Sequence, residues 1–177
     1  MVDAGPVLER VRALLAQRPF VLVGIGGRGA SGKTTLAHAL PAAAAIGTDE
    51  FWDGREFELT RLRREVFDAF AAGRPARFAS FDWSAGRARG ERVVEPRGLV
   101  VVEGVCALHR MFRRDYQLRV WVEAPREVQL ARGVARDGEA ARATWEHVWM
   151  PSEDRYVERD DPLAAADLVV DGTGEPP

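Results

Sequence analysis

The sequence predicts an α/β protein in which a parallel β-sheet lies between two layers of helices. Continuously apolar runs, which are typical of strands buried on both faces, occur at Phe20–Ile25, Leu99–Val102 and Leu118–Val122. Segments with apolar residues at helical spacing lie between these runs. A glycine-rich loop also joins the first run to a helix candidate. Strands that alternate with helices in this way indicate a parallel sheet.

The other elements follow from periodicity and from proline and glycine positions. Two weaker apolar runs, at 42–47 and 168–170, complete five parallel strands. Residues 76–97 are expected to be irregular or a hairpin. Helices are predicted at 6–17, 33–40, 57–70, 126–136 and 139–159. Pro151 must bend the last of these helices or mark its true start.

Composition narrows the class of protein. The chain has 177 residues, a net charge of -2 and one cysteine, Cys106. This length predicts one domain over 1–177, with an acceptor-side insert at about 50–97 and a lid at about 132–142. The near-neutral charge gives no reason to expect nucleic-acid binding. The lone cysteine, the missing signal pattern and the lack of a membrane-length apolar run favour a cytoplasmic protein without membrane attachment, and a homo-oligomer stays open.

The glycine-rich loop carries the strongest functional signal. Gly27, Gly32, Lys33 and Thr34 fill the pattern G-x-x-x-x-G-K-S/T of a phosphate-binding P-loop. Glycines let successive backbone N–H groups point into one concavity, and the following helix directs its positive dipole end to the same place. Lys33 is expected to reach the β- and γ-phosphates, and the Thr34 hydroxyl to ligate Mg²⁺. The predicted nucleotide contacts within the loop are Gly27, Gly29, Ala30, Ser31, Gly32, Lys33, Thr34 and Thr35.

Lys33 is the only lysine in the sequence. Every other basic side chain apart from histidine is arginine. A compact ammonium fits inside a phosphate loop where a planar guanidinium would not. A glycine-rich turn before an ordinary helix would not explain this choice. The lone lysine therefore supports the P-loop interpretation.

Two carboxylates are placed for phosphoryl transfer. Glu103 ends the run V-V-V-E-G and can contact the Mg²⁺ water shell beside Thr34. Asp49 follows the second strand candidate and is our prediction for the group that accepts or orients the proton of an acceptor hydroxyl. Glu50 and Asp53 are the nearest competitors for that role. A helix N-cap or a turn is the alternative for Asp49, and a surface turn is the alternative for Glu103.

Two arginines, Arg132 and Arg136, stand four residues apart on one predicted helix. Arginines that close over a transferring phosphate stabilise its charge, so both are candidates, with Arg136 as the catalytic one. Pairing with Glu127 or Asp137 on a solvated helix face is the alternative, and Arg142 could share the lid role. Aromatic and acidic residues could line an acceptor pocket. These are Phe51, Trp52, Phe81, Asp82 and Trp83.

With these residues placed, the chain resembles the uridine kinase family of P-loop kinases, relatives of the phosphoribulokinases. The resemblance runs from about 20 to 172 and is carried by G-G-R-G-A-S-G-K-T-T, T-D-E-F-W, R-P-A-R-F-A-S-F-D-W, V-V-V-E-G-V, L-A-R-G-V-A-R-D and A-D-L-V-V-D-G. It implies a sheet of order 2-3-1-4-5, ATP and Mg²⁺ as cofactors and a small-molecule phosphoryl acceptor. It also implies that Asp49 is the catalytic base and that Arg136 contacts phosphates.

The chain departs from that family on the acceptor side. A histidine that follows the Tyr-Asp-Phe segment of the pyrimidine nucleoside kinases is replaced here by Ser84-Ala85-Gly86, and the chain is shorter. Membership of the kinase class is therefore better supported than uridine as the acceptor. A nucleoside stays the first acceptor class, and a nucleoside monophosphate, a vitamin precursor or an antibiotic stays open. Arg55, Arg63 or Arg64 could bind an acceptor phosphate. A nucleotide-dependent switch is the alternative from another class, although a sequence without asparagine cannot carry the guanine motif N-K-x-D.

Overall fold

The computed structural model describes residues 2–54, 56–82 and 85–174, with all side chains in these ranges except those of Asp82 and Ala88. The strands are β1 (Phe20–Gly27), β2 (Ala44–Gly47), β3 (Ala76–Asp82), β4 (Arg87–Val94), β5 (Gly98–Glu103), β6 (Leu118–Glu123) and β7 (Leu168–Asp171). The α-helices are α1 (Gly5–Leu15), α2 (Lys33–Ala39), α3 (Leu59–Leu62), α4 (Asp68–Ala71), α5 (Arg126–Asp137), α6 (Arg142–Thr144) and α7 (Met150–Asp160). Shorter helical turns are the 3-10 turns Thr48–Phe51 and Glu139–Ala141 and the π-turns Arg63–Phe67 and Trp145–Trp149.

The central sheet is parallel and has the strand order β2-β5-β1-β6-β7. The strands β3 and β4 form a separate antiparallel hairpin. When the hairpin strands are left out of the numbering, the order is the predicted 2-3-1-4-5. The predicted α/β fold is therefore confirmed, and the hairpin is the form that residues 76–97 adopt.

Alternating side chains of the central strands build a core on each face of the sheet. Val21, Val23 and Ile25 of β1 pack with residues of α1 and α2 on one face. Leu22 of the same strand packs on the other face, in a core that includes Trp121. This period of two is what a strand covered on both sides requires. The result is the predicted three-layer arrangement.

On the second face, a continuous helical segment runs from α3 through the first π-turn to α4. It buries Leu62, Val66 and Phe67, and Phe67 stacks on Phe112 with ring centroids 4.5 Å apart. This segment and the hairpin together make up the region predicted as an acceptor-side insert. Both pack into the same core as Phe51 of the turn after β2.

The second long helical segment runs from Glu139 to Asp160 through α6, the second π-turn and α7. Pro151 lies in the first turn of α7, directly after the π-turn. A proline is tolerated in the first turn of a regular helix. The π-turn interrupts the regular α-helical pattern directly before α7, so Pro151 marks the start of a regular helix, one of the two expected outcomes. No helix in the described part of the chain has both the length and the apolar composition needed to cross a bilayer.

Candidate functional site

Strand register brings three chain segments together at one edge of the sheet. Glu103, at the end of β5, is paired with Ile25 of β1 and with Gly47 of β2. The P-loop follows β1, and the 3-10 turn Thr48–Phe51 follows β2. Because ligands of open α/β sheets bind at the carboxyl ends of the strands, this edge is the candidate site.

Glycine is required at two positions of the P-loop. Gly27 has φ +153°, and a Cβ there would lie 2.5 Å from the Val122 carbonyl oxygen and 2.6 Å from Ser31 Oγ. Gly32 has φ +107°, and its Cβ would lie 3.2 Å from the Gly172 carbonyl oxygen. Residues with side chains are disfavoured at such φ values, so the backbone can take this conformation at the two positions because both are glycine.

Lys33 is buried and points back into the loop. Its Nζ atom donates a hydrogen bond of 2.7 Å to the Arg28 carbonyl oxygen. Burial lowers the pKa of the Lys33 ammonium, and the neighbouring charge of Glu103 opposes that shift. A buried ammonium beside backbone dipoles gains from an anion close to it, because low-dielectric surroundings strengthen charge pairing.

A cavity of about 470 Å³ opens beside Lys33. It brings together seven of the predicted site residues, of which Lys33, Thr34, Arg132 and Arg136 lie on α2 and α5. The full lining is Val2, Ala30, Gly32, Lys33, Thr34, Thr35, Arg132, Arg136, Gly172, Thr173 and Gly174. Its volume is in the range of small-molecule and cofactor sites, and three of its side chains are cationic.

Thr34 and Glu103 are in direct contact. The Thr34 hydroxyl donates a hydrogen bond of 3.1 Å to Glu103 Oε1. Burial raises the pKa of Glu103, and the Lys33 charge partly offsets this. The described residues contain no group of three or more His, Cys, Asp and Glu side chains that could hold a metal. One hydroxyl and one carboxylate suit Mg²⁺, which keeps several waters and takes other ligands from substrate phosphates.

Two further observations test whether a phosphate fits the loop. Ser31 Oγ is buried and has no hydrogen-bond partner among the residues that the structure describes. A Cβ at Gly27 would lie 2.5 Å from a carbonyl oxygen, and a Cβ at Gly32 would be crowded at a positive φ, so the loop backbone carries no side chain at these two positions. Buried polar atoms are normally paired, and a bound anion would pair this one. The residues present therefore fit a triphosphate with Mg²⁺.

Asp49 lies in the 3-10 turn directly after β2. The residue is exposed as a whole, but protein atoms surround part of its carboxyl group, and this raises its pKa, as does the adjacent Glu50 charge. The charges of Lys33 and Arg136 also act on Asp49. Asp49 therefore lies within electrostatic reach of the P-loop lysine and the α5 arginine.

Glu50 is engaged in structure. Its Oε1 atom accepts a hydrogen bond of 3.0 Å from the Gly47 N–H, and it pairs with Arg92 of the hairpin. Arg92 also donates to the Ala45 carbonyl oxygen at 3.0 Å. These contacts hold the turn after β2 against the hairpin. Of the two adjacent acids Asp49 and Glu50, Glu50 is therefore the one that positions the turn.

The two predicted arginines differ in their contacts. Arg132 donates 2.7 Å hydrogen bonds to the Gly172 and Thr173 carbonyl oxygens, so it ties α5 to the segment after β7. Arg136 is exposed, pairs with Asp137 at 2.8 Å and lies over the Trp145 ring. An exposed guanidinium held by a neighbour can turn toward a phosphate without leaving a buried partner unpaired.

The predicted acceptor-side residues separate into groups. Phe51 is fully buried in the core, with its ring centroid 4.9 Å from that of Phe78, so the structure favours packing over acceptor contact for this ring. Trp52 and Phe81 are half-buried. The Asp82 side chain and the whole of Trp83 lie outside the described atoms. Arg55, one of the candidates for an acceptor phosphate, is also outside the described residues.

The other two candidates for an acceptor phosphate are already paired. Arg63 lies 2.8 Å from Asp68 and also pairs with Asp115, and Arg64 lies 2.9 Å from Glu65. Arg63 also donates to the Met111 carbonyl oxygen. These contacts fasten the helical segment that contains the first π-turn, and they give a monophosphate acceptor no specific support.

Sequence reasoning missed two contacts of the loop. Glu153 Oε1 accepts a hydrogen bond of 3.0 Å from the Gly29 N–H, and Asp154 Oδ1 lies 2.5 Å from Arg28 NH1. Both acids are on α7. No local spacing links them to the P-loop. The only sequence signal is the pair of adjacent acids after Pro151, at the start of a helix.

Comparison with known proteins identifies relatives with weak sequence identity to this chain. No protein-family model matches the chain. Over 142 residues, or 69% of this chain, it is 28% identical to uridine-cytidine kinase C of Dictyostelium discoideum, and it spans only 31% of that protein's length. Over 151 residues it is 24% identical to a uridine kinase of Staphylococcus epidermidis, which covers 72% of this chain and 73% of that one.

A solved structure matches over nearly the whole chain. It is described as a possible uridine kinase from Bacillus stearothermophilus, with a TM-score of 0.67 and 18% sequence identity. The match covers 93% of this chain and 98% of that one. At this identity the match speaks for the fold. Motifs, sheet order and relatives agree that the chain resembles the uridine kinase-like P-loop kinases and has their fold.

Proposed function

We propose that the protein is an ATP-dependent kinase that transfers the γ-phosphate to a hydroxyl group of a small molecule, with a nucleoside as the first acceptor class. The observation that carries the proposal is the cavity shared by Lys33, Thr34, Arg132 and Arg136. Glu103 ends β5, and Asp49 follows β2 at the same edge of the sheet. This arrangement supplies cations for the phosphates and carboxylates for the metal and for the acceptor.

The donor half of the site would hold ATP. Lys33 and the loop amides would balance the charge of the β- and γ-phosphates, and Arg132 would close the cavity from α5. Thr34 and, through water, Glu103 would hold Mg²⁺, which when bound neutralises phosphate charge. Gly27, Ala30, Ser31, Gly32 and Thr35 complete the proposed loop contacts, whereas the predicted contact at Gly29 is not kept, because its N–H already donates to Glu153.

In the acceptor half, Asp49 would accept the proton of the attacking hydroxyl as the new O–P bond forms and the bond to the β-phosphate oxygen breaks. Its raised pKa suits this role, because a carboxylate with a higher pKa is a stronger proton acceptor. Arg136 would turn from Asp137 toward the transferring group and stabilise its charge. Trp52 and Phe81 are the described aromatic candidates for acceptor contact, together with Asp82 and Trp83.

A coupled assay that measures ADP release across nucleosides, nucleoside monophosphates, sugars, vitamin precursors and aminoglycosides tests the proposal. We expect one acceptor class to stimulate turnover at least tenfold over slow ATP hydrolysis, and Asp49→Asn to abolish the stimulation while ATP still binds. The matched control is Asp53→Asn, which removes a carboxylate four residues away.

Other outcomes would indicate other functions. If only a nucleoside monophosphate stimulates turnover, the acceptor is a nucleoside monophosphate and not a nucleoside. The proposal for the ATP-binding half of the site would still hold. Hydrolysis that no acceptor changes, together with full activity of Asp49→Asn, would overturn the kinase proposal. A protein that is captured only in one nucleotide state would then favour the switch alternative.

A further inference from the structure

Helix α7 contacts the P-loop at two consecutive residues. Glu153 Oε1 accepts the Gly29 N–H at 3.0 Å, and Asp154 Oδ1 lies 2.5 Å from Arg28 NH1. Arg126 of α5 also binds Asp154, at 3.0 Å. The outer side of the loop is therefore attached to the helical segment that follows the predicted lid.

The peptide between Arg28 and Gly29 is held at both ends. Its carbonyl oxygen accepts hydrogen bonds from Lys33 Nζ at 2.7 Å and from the Ser31 N–H at 3.2 Å. Its N–H donates to Glu153. In a trans peptide the C=O and N–H bonds point in opposite directions, so Lys33 and Glu153 fix one peptide plane from opposite sides.

We infer that Glu153 is a positioning residue for the P-loop: it holds the Arg28–Gly29 peptide plane, and tight binding of a triphosphate depends on that hold. This inference rests on the proposed function, since it concerns the same loop. Among the described residues of the loop, Ala30, Gly32, Lys33, Thr34 and Thr35 line the cavity, whereas the Gly29 N–H faces α7. Glu153 therefore acts on the outer side of the loop and does not compete with a phosphate for the cavity.

The choice of residues on both sides fits this role. A Cβ on Gly29 would lie 2.7 Å from Glu153 Oε1 and 2.8 Å from the Trp145 ring, so the glycine is what lets α7 approach. Glu153 is buried, and its Oε2 atom has no hydrogen-bond partner among the described residues. An ionisable group with an unpaired buried oxygen is costly, and space filling alone does not require one. Burial raises the pKa of Glu153, while the Gly29 N–H and the charges of Lys33 and Arg28 favour its ionised form.

Inorganic tripolyphosphate tests the inference directly, because it carries phosphates without base or sugar. Its affinity is measured by calorimetry for wild type, Glu153→Ala, Glu153→Gln and Asp154→Asn, well below each melting temperature. Loss of the hydrogen bond to the Gly29 N–H should weaken binding about tenfold or more in Glu153→Ala. Glutamine keeps an acceptor oxygen, so Glu153→Gln should stay within about threefold of wild type. Asp154→Asn is the matched control and should also stay within about threefold, because the Gly29 contact remains.

Two further experiments test the inference even if the Glu153→Ala variant does not fold. Hydrogen exchange of the Gly29 amide in the wild-type chain should be slow, as expected for a buried hydrogen bond. Gly29→Ala, which pushes α7 away while Glu153 is kept, should weaken tripolyphosphate binding like Glu153→Ala. The inference is overturned if Glu153→Ala binds as tightly as wild type, if Glu153→Gln loses as much as Glu153→Ala, or if the Gly29 amide exchanges like an exposed one. A wild-type chain that binds no tripolyphosphate would overturn the proposed function itself.

Discussion

The hydroxyl of Thr34 donates a 3.1 Å hydrogen bond to Glu103. This contact joins the first residues of α2 to the end of β5, 69 positions apart in the chain. It places a carboxylate next to the hydroxyl of Thr34, which lines the cavity beside Lys33. Such a pair is suited to hold a hydrated Mg²⁺ between protein and phosphates.

Glu103→Gln should weaken the use of Mg²⁺ more than the use of ATP. Loss of a carboxylate that orients the metal's water shell should raise the Mg²⁺ concentration for half-maximal activity by about 10- to 100-fold. A Mg²⁺ titration of phosphoryl transfer measures this. Glu123→Gln is the matched control, because Glu123 ends β6, two strands away from β5 in the same sheet, and accepts a hydrogen bond from Trp121. Equal Mg²⁺ curves for Glu103→Gln and wild type would exclude a metal role for Glu103.

The acid limb of the pH–rate profile should follow Asp49. A base must be ionised, so kcat/KM should rise as the pH passes upward through the pKa of Asp49, which burial first and Glu50 second hold above its ordinary value. Glu50→Gln removes the second cause and should move the limb to lower pH. Glu56→Gln, at an exposed position in the same segment, should leave it in place. A limb that does not move in Glu50→Gln would argue against Asp49 as the titrating group.

Gly104→Ala should destabilise the fold at the site. Gly104 has φ +144°, and a Cβ there would lie 1.9 Å from Thr48 Oγ1, so the turn before Asp49 would have to move. We expect a loss of about 2 kcal/mol or more in the free energy of unfolding, measured by denaturant titration. Gly90→Ala is the control, because a Cβ at Gly90 meets no atom within 4 Å. Its change should stay within about 0.5 kcal/mol. Similar stability of both variants would refute the close approach.

Removal of Arg136 should affect turnover more than stability. Its guanidinium is exposed and bound to Asp137, so Arg136→Ala should leave the melting temperature nearly unchanged. If Arg136 stabilises the transferring phosphate, kcat should fall by about 10²-fold or more. Arg142→Ala is the matched control, because Arg142 pairs with Glu139 at the surface in the same region. An equal loss of kcat in both variants would contradict a specific role for Arg136 and would indicate an effect of the whole lid region.

Local spacing made the phosphate loop predictable. Glycines, lysine and threonine follow one another from Gly27 to Thr34, so the sequence shows the motif directly. The position of Glu103 followed from a simple rule, that the carboxyl ends of parallel strands share an edge. The pairing of Glu103 with Ile25 and Gly47 confirms it.

Long-range packing was not predictable in the same way. Glu153 and Gly29 are 124 positions apart, and no periodicity links them. Phe51 and Trp52 are adjacent in sequence, yet the 3-10 turn puts the first in the core and leaves the second half-buried. Residue type alone predicts the same environment for Phe51 and Trp52, because aromatic residues occur both in cores and in ligand sites.

Calorimetric titration of Mg²⁺ with a non-hydrolysable ATP analogue into wild type and Lys33→Ala tests the central claim most directly. The account predicts micromolar binding to wild type and at least about 100-fold weaker binding to Lys33→Ala, because a buried charge that faces the phosphates is lost. The variant's melting temperature should show that it remains folded. Binding of equal strength by both proteins would contradict the claim that Lys33 and its loop form the nucleotide site.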